Sequence, residues 1–135
     1  MAFFSGLSKY KDYGLLIIRV GLGILFIYHG FPKLFGGPSR WEGLGAATGS
    51  VGIHFFPMFW GLVAAITETA GGFLLILGLA FRPVCLLLVI NLIVAALFTF
   101  SVSGSLGDAT HAIEDAITFA GLFLIGPGKY SLDKK

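Results

Sequence analysis

The residues able to do chemistry in this chain are few, and most of them fall inside or beside long apolar stretches. They are Arg19, Glu68, Glu114 and Asp115, the strong amide Asn91, the imidazoles His29 and His111, and Lys33 close by. A charge within hydrocarbon costs about 2.5–3.5 kcal/mol even on permissive scales, so each intramembrane ionisable group is a functional candidate. Glu68, Glu114 and Asp115 supply more acid than Arg19 neutralises, which requires a protonated carboxyl or a wet cavity. A cavity open to the outer face, ringed by acid and imidazole groups, suits a ligand that gains or loses protons, as a quinol does. Arg19 and Asn91 carry a second reading, a polar lock that holds helices in register.

Other chemistries are excluded or weakly supported. Cys85 is the single cysteine, so no intrachain disulfide, CxxC pair or thiolate cage can form within the chain. Redox chemistry therefore requires a bound cofactor or a partner. The three histidines, His29, His54 and His111, include no pair at helical metal-ligand spacing, and neither metal nor haem is expected. A net charge of +2 is too small to suggest a nucleic-acid partner.

The elements that must position these residues follow from composition. The chain has 135 residues, enough for one domain; 56% are hydrophobic and 12% charged. Soluble domains carry about 25% charged residues, and four long apolar runs in so short a chain leave too little polar surface to cover them. The expected fold is all-α, an integral membrane four-helix bundle forming a single domain over 1–135. Its spans are expected at about 13–31, 56–81, 83–102 and 112–125, against the roughly 20 residues that cross a bilayer. The last is the shortest, and it reaches that length only if His111, Glu114 and Asp115 lie within the membrane or at its edge.

Breaks between spans are read at Phe31-Pro32, in a Gly-rich loop from Gly36 to Gly52, and at a tight Arg82-Pro83 turn. Ser103 to Asp108 and Gly126-Pro127-Gly128 supply the remaining breaks. An even span count puts both termini on one side with Lys9, Lys11, Arg82, Lys129, Lys134 and Lys135. Only Lys33 and Arg40 fall on the other side, so the termini are expected in the cytoplasm, with Trp41 and Trp60 near the outer interface.

A rise of 1.5 Å per residue sorts the polar groups by depth from the inner face. Arg19 lies roughly 9 Å in, Asn91 roughly 12 Å, Glu68 and Asp115 roughly 16–20 Å, and His29 and His111 roughly 24 Å. Arg19, Gly23, Phe26, Gly30 and Lys33 share one helix face, bordered by His29. His111, Asp115, Thr118 and Leu122 share another, with Glu114 beside them. Arg19 is then expected to reach Glu68 or Asp115, because a buried charge needs a partner. Gly21, Gly23 and the Gly71-Gly72 pair are expected to allow close helix packing.

Three segments in order resemble the DoxX family of small bacterial membrane proteins. They are RVGLGILFIYHGFPKLFG at 19–36, ETAGGFLLILGLAFR at 68–82, and Glu114 with an apolar run ending in GPGKYSLD at 126–133. The resemblance implies four helices in the bacterial cytoplasmic (inner) membrane and an association with redox chemistry. Some members resemble the quinone-interacting subunit of a thiosulfate:quinone oxidoreductase, and others are linked to thiol and oxidative-stress systems.

The leading expectation is a membrane subunit of a redox system that binds quinone or quinol. Glu68, Glu114 or Asp115 and His111 would handle its protons, and Lys33 with His29 would line the outer mouth. The alternatives are a non-catalytic accessory or assembly subunit of a larger membrane complex, and a small transporter acting as a homo-oligomer. The expected surroundings are the lipid bilayer and other membrane or redox proteins.

Overall fold

A computed structural model describes residues 3–133; Lys134 and Lys135, counted above among the basic residues near the termini, lie outside it. A 3-10 turn, Ser5–Tyr10, leads into α1, Lys11–Leu34. A short helix, α2, Pro38–Gly45, continues as a 3-10 turn, Ala46–Val51. Three longer helices follow: α3, Pro57–Leu77; α4, Phe81–Ser103; and α5, Leu106–Ile125. The helices α1 with its lead-in, α3 and α4 are long and apolar enough to cross a membrane.

Several boundaries differ from those expected, each for a local reason. The first helix runs through Pro32 to Leu34. Proline in the last turn removes one hydrogen bond, and the indole Nε1 of Trp41 donates to the Leu34 carbonyl just beyond it, at 3.1 Å. The third helix stops at Leu77 because Gly78 takes a left-handed conformation (φ 68°). The amide of Leu79 then returns to the Leu74 carbonyl at 3.0 Å, a glycine-terminated helix end. The tight turn is therefore Gly78-Leu79-Ala80, and Arg82-Pro83 belongs to the first turn of α4, where proline is tolerated.

The last helix starts six residues before the expected 112. Asp108 sits in its first turn, where a negative charge is favourable, and at 20 residues it is about 30 Å long. The Gly-rich loop holds α2, opened by Pro38 at its first turn.

Packing follows the sequence pattern on one helix closely. The buried residues of α1 are Arg19, Gly23, Phe26 and Gly30, four of the five assigned to its shared face. Gly23 and Gly72 let α1 and α3 touch backbone to backbone: a Cβ on either would lie 2.6 Å from the other's carbonyl oxygen. Gly30 rests on Thr69 in the same seam. Gly21 faces open space and takes no part, contrary to expectation. Between helices in lipid the attraction is van der Waals contact and hydrogen bonding, so such close approach matters.

The buried centre joins Leu75 of α3, Phe81, Cys85 and Leu88 of α4, and Phe119 and Leu122 of α5. Phe26 of α1 meets Phe119 of α5 edge to face, with ring centroids 5.2 Å apart, linking the first and last long helices. Gly71 packs on Val84 and Leu88 close to the α3–α4 turn. Farther from that turn, the Ala46–Val51 segment contacts α4 while α2 packs on α3. Gly45 and Gly61 permit this, since a Cβ on either would collide with the backbone of Pro57 or Trp41.

Gly23→Ala is expected to destabilise the protein by about 1–3 kcal/mol, the usual cost of overpacking. Gly21→Ala should leave stability unchanged or slightly raised. Thermal unfolding of the two variants in the same detergent checks this, and equal midpoints would contradict the packing described.

Candidate functional site

The ionisable residues separate into three places. The first is the end of the molecule that carries the chain termini. Arg19 is 1% exposed, and its guanidinium donates only to backbone carbonyls. Nε donates to Leu75 O at 3.0 Å and Nη2 to Ile76 O at 2.8 Å, both in the last turn of α3. Nη1 donates to Pro127 O at 3.1 Å and Tyr130 O at 2.8 Å, in the segment after α5. The expected pairing of Arg19 with Glu68 or Asp115 is thus corrected. Carbonyls at a helix C-terminus lack intrahelical partners and carry partial negative charge, so they receive the cation instead.

The same segment closes a second helix end. The Asp133 carboxylate accepts from the Ala80 and Phe81 amides at 2.8 and 2.7 Å, capping α4. Ala80 is held there in a left-handed conformation (φ 51°) that a side chain normally avoids. Arg82 Nε donates to Phe123 O at 2.9 Å in the last turn of α5. The GPGKYSLD ending is therefore an architectural element, and its role is bound to Arg19.

The second place is a cavity of about 430 Å³ between α3, α4 and the α2 region. Lys33 and Glu68 line it, and Lys33 Nζ stands 2.8 Å from Glu68 Oε1. Their side chains are 27% and 11% exposed, so the pair is largely removed from solvent. Lys33 was expected at the mouth; its four-carbon stem extends its charge away from its own Cα and into the cavity. Glu68 lies eleven residues from the start of α3 and nine from its end, near mid-helix.

Asn91, Trp60, Thr48, Thr67 and Thr99 complete the polar part of the wall, and the rest is apolar. Asn91 makes no side-chain hydrogen bond to a described residue, so the lock expected of it has no contact, and its amide lines the cavity instead. Thr67 and Thr99 each donate to the carbonyl four residues back, leaving hydroxyl lone pairs available. Among the described residues, the Trp60 indole N–H is the buried side-chain polar group without a partner. Leu87 and Ile90, on α4, line the cavity and are about half exposed.

The third place is the outer surface of α5 and α1. Glu114 is exposed, and His111 is 83% exposed at the side chain, 3.7 Å from Asp115 Oδ2. His29 is exposed on α1. None of these four lines the cavity with Lys33 and Glu68. The pattern on α5 locates residues that share a face; it does not say which face turns inward. Trp60, Thr67 and Thr99 were missed because a tryptophan or threonine in a membrane helix has many ordinary roles. The one available signal was the placement of Thr67 beside Glu68.

The DoxX family model matches residues 14–101, which include the Arg19 helix, Lys33, Glu68 and Asn91. The chain belongs to the DoxX family. It is 29% identical to the Escherichia coli protein named "Inner membrane protein YphA", over 94% of this chain and 97% of that one. It is 33% identical to an uncharacterized protein of Haemophilus influenzae, over 97% and 96% of the two chains. A Bacillus subtilis protein named "Putative oxidoreductase CatD" is 33% identical, over 94% of this chain and 90% of the other. No solved structure matches the chain significantly. This DoxX protein is a multi-pass protein of the bacterial cytoplasmic (inner) membrane, consistent with its three long apolar helices.

Arg19→Met should cost at least about 3 kcal/mol, because four carbonyl contacts lose their charged donor at once. The loss should be visible locally first. Amide hydrogen exchange at 127–133 and at the start of α4 is expected to accelerate before the centre of α3 does. Uniform acceleration along the chain would contradict the assigned role.

Proposed function

We propose that this DoxX protein is a quinone- or quinol-binding subunit of a membrane redox system, and that α1, α3, α4 and α5 all cross the membrane with both termini cytoplasmic. The observation that carries the reading is the mainly apolar cavity holding the Lys33–Glu68 pair, with Asn91 in its wall. Ligand sites for small molecules are commonly of this size and character, mostly apolar with a few converging polar groups. The mainly apolar lining suits a hydrophobic ligand. The basic residues Lys9, Lys11, Arg82 and Lys129 gather at the end carrying the termini, which supports the orientation.

The residues fit the ligand by their chemistry. A bound quinone supplies two-electron, two-proton redox capacity. Glu68 engages Lys33 through Oε1, which leaves Oε2 to accept a proton from a hydroxyl. Lys33 pairs with that carboxylate and has donors to spare for a ligand oxygen. Asn91 both donates and accepts, so it can hold either the carbonyl or the hydroxyl form. Among the relatives, the one named as an oxidoreductase agrees with this reading. In this account Lys33 and Glu68 are the contacts at the ligand, while Glu114, Asp115, His111 and His29 act elsewhere on the surface.

The accessory-subunit reading draws on one observation, the outward polar groups of α5, because polar groups facing lipid call for a neighbour.

Glu68→Gln should weaken binding of a short-chain quinol to protein in lipid nanodiscs by roughly ten- to a hundredfold, the value of a charge-assisted hydrogen bond. The melting temperature should fall, since Gln cannot balance the Lys33 charge in a largely enclosed pair. Binding is therefore compared at a temperature where both proteins remain folded. Unchanged binding in that variant would overturn the assignment of the cavity.

A further inference from the structure

The outward face of α5 is unlike a lipid-facing surface. Gly107, Thr110, His111, Glu114, Thr118 and Gly121 are all exposed, and their three- and four-residue spacing aligns them on one stripe. Glu114 is eight residues from the start of the helix and eleven from its end, so the stripe carries a carboxyl at mid-helix. The inward face is made by Ala109, Ala116, Phe119 and Leu122. A Cβ on Gly121 would meet nothing within 4 Å, so no contact inside this chain requires a glycine there.

We infer that this stripe is the interface with a second copy of the chain, joined about a two-fold axis along the membrane normal. The inference rests on the reading that α5 crosses the membrane. An acid and an imidazole facing lipid are unfavourable, and a neighbour that pairs with them removes the cost. The stripe is its own complement. His111 and Glu114 are three residues apart and therefore about 60° apart around the helix, one on each flank of the stripe. A two-fold axis places the His111 flank of one copy beside the Glu114 flank of the other, twice over. An imidazole N–H donates to a carboxylate oxygen across each contact. Asp115, 3.7 Å from the imidazole on the same helix, stands beside each pair. The small residues Gly107, Thr118 and Gly121 allow the two backbones to approach.

Cysteine cross-linking in native membranes tests this, in a Cys85→Ala background so that each variant has a single thiol. Thr118→Cys should give a disulfide-linked species of twice the chain mass after mild oxidation. Gly21→Cys, on the open and apolar side of α1, should remain monomeric. Glu114→Gln and His111→Gln should each lower the Thr118→Cys cross-linked fraction severalfold, and the double variant no further. A Thr118→Cys variant that stays monomeric, or that links to a protein of different mass, overturns the inference, as does an unchanged yield in Glu114→Gln. Rapid labelling of Thr118→Cys by a water-soluble maleimide would instead show α5 in water. The reading that α5 crosses the membrane would then fail, independently of the quinone test at Glu68.

Discussion

A buried guanidinium held by backbone carbonyls sets the plan of this protein. Arg19 brings a full charge into α1, and the fold satisfies it with four carbonyls drawn from two places far apart in sequence. The arrangement exploits the partial charge of helix ends. Arg19 meets the C-terminal turn of α3, Arg82 meets that of α5, and the Asp133 carboxylate meets the N-terminus of α4. Each charge sits where the helix dipole favours its sign. All four long helices are thereby tied at one end of the molecule by groups that would otherwise need water.

The other end is built differently, and the difference produces the cavity. The Gly23–Gly72 contact brings α1 and α3 to backbone distance, and α4 packs on α3 beside their shared turn. Away from the turn the α2 region fills the wedge between α3 and α4 incompletely. Lys33 and Glu68 share the remaining space, where their mutual attraction is less screened than at a surface. A locked end and an open end divide the residues that tie helix ends from those that line the cavity.

Much of this was legible in the residues, and the gaps have physical causes. The apolar runs revealed the helices, and the spacing of Arg19, Gly23, Phe26 and Gly30 identified the inward face of α1 before any coordinates. Helix ends were less legible. Pro32 reads as a stop, yet α1 continues two residues beyond it, and Gly78 reads as part of an apolar run though it ends α3. Glu68 and Lys33 both stand out as charges in or beside apolar stretches, but their pairing is not legible, because depth counted along the backbone ignores the reach of a lysine stem. The carbonyls around Arg19 were invisible because every residue carries one. On α5 the periodicity groups His111, Asp115, Thr118 and Leu122, yet Leu122 is buried with Ala116 and Phe119 while His111 and Thr118 are exposed, so spacing alone does not place the edge of the inward face.

The docking of 127–133 onto Arg19 also bears on how the molecule is made. The ribosome releases Arg19 early, and the carbonyls of Pro127 and Tyr130 emerge only after α5 has been synthesised. During that interval the guanidinium and the start of α4 are incompletely satisfied, so the helices must enter the membrane as a loose set. Assembly is completed by the last stretch of this sequence to appear. A chain that stops before that point leaves the Arg19 guanidinium and the first amides of α4 without those partners.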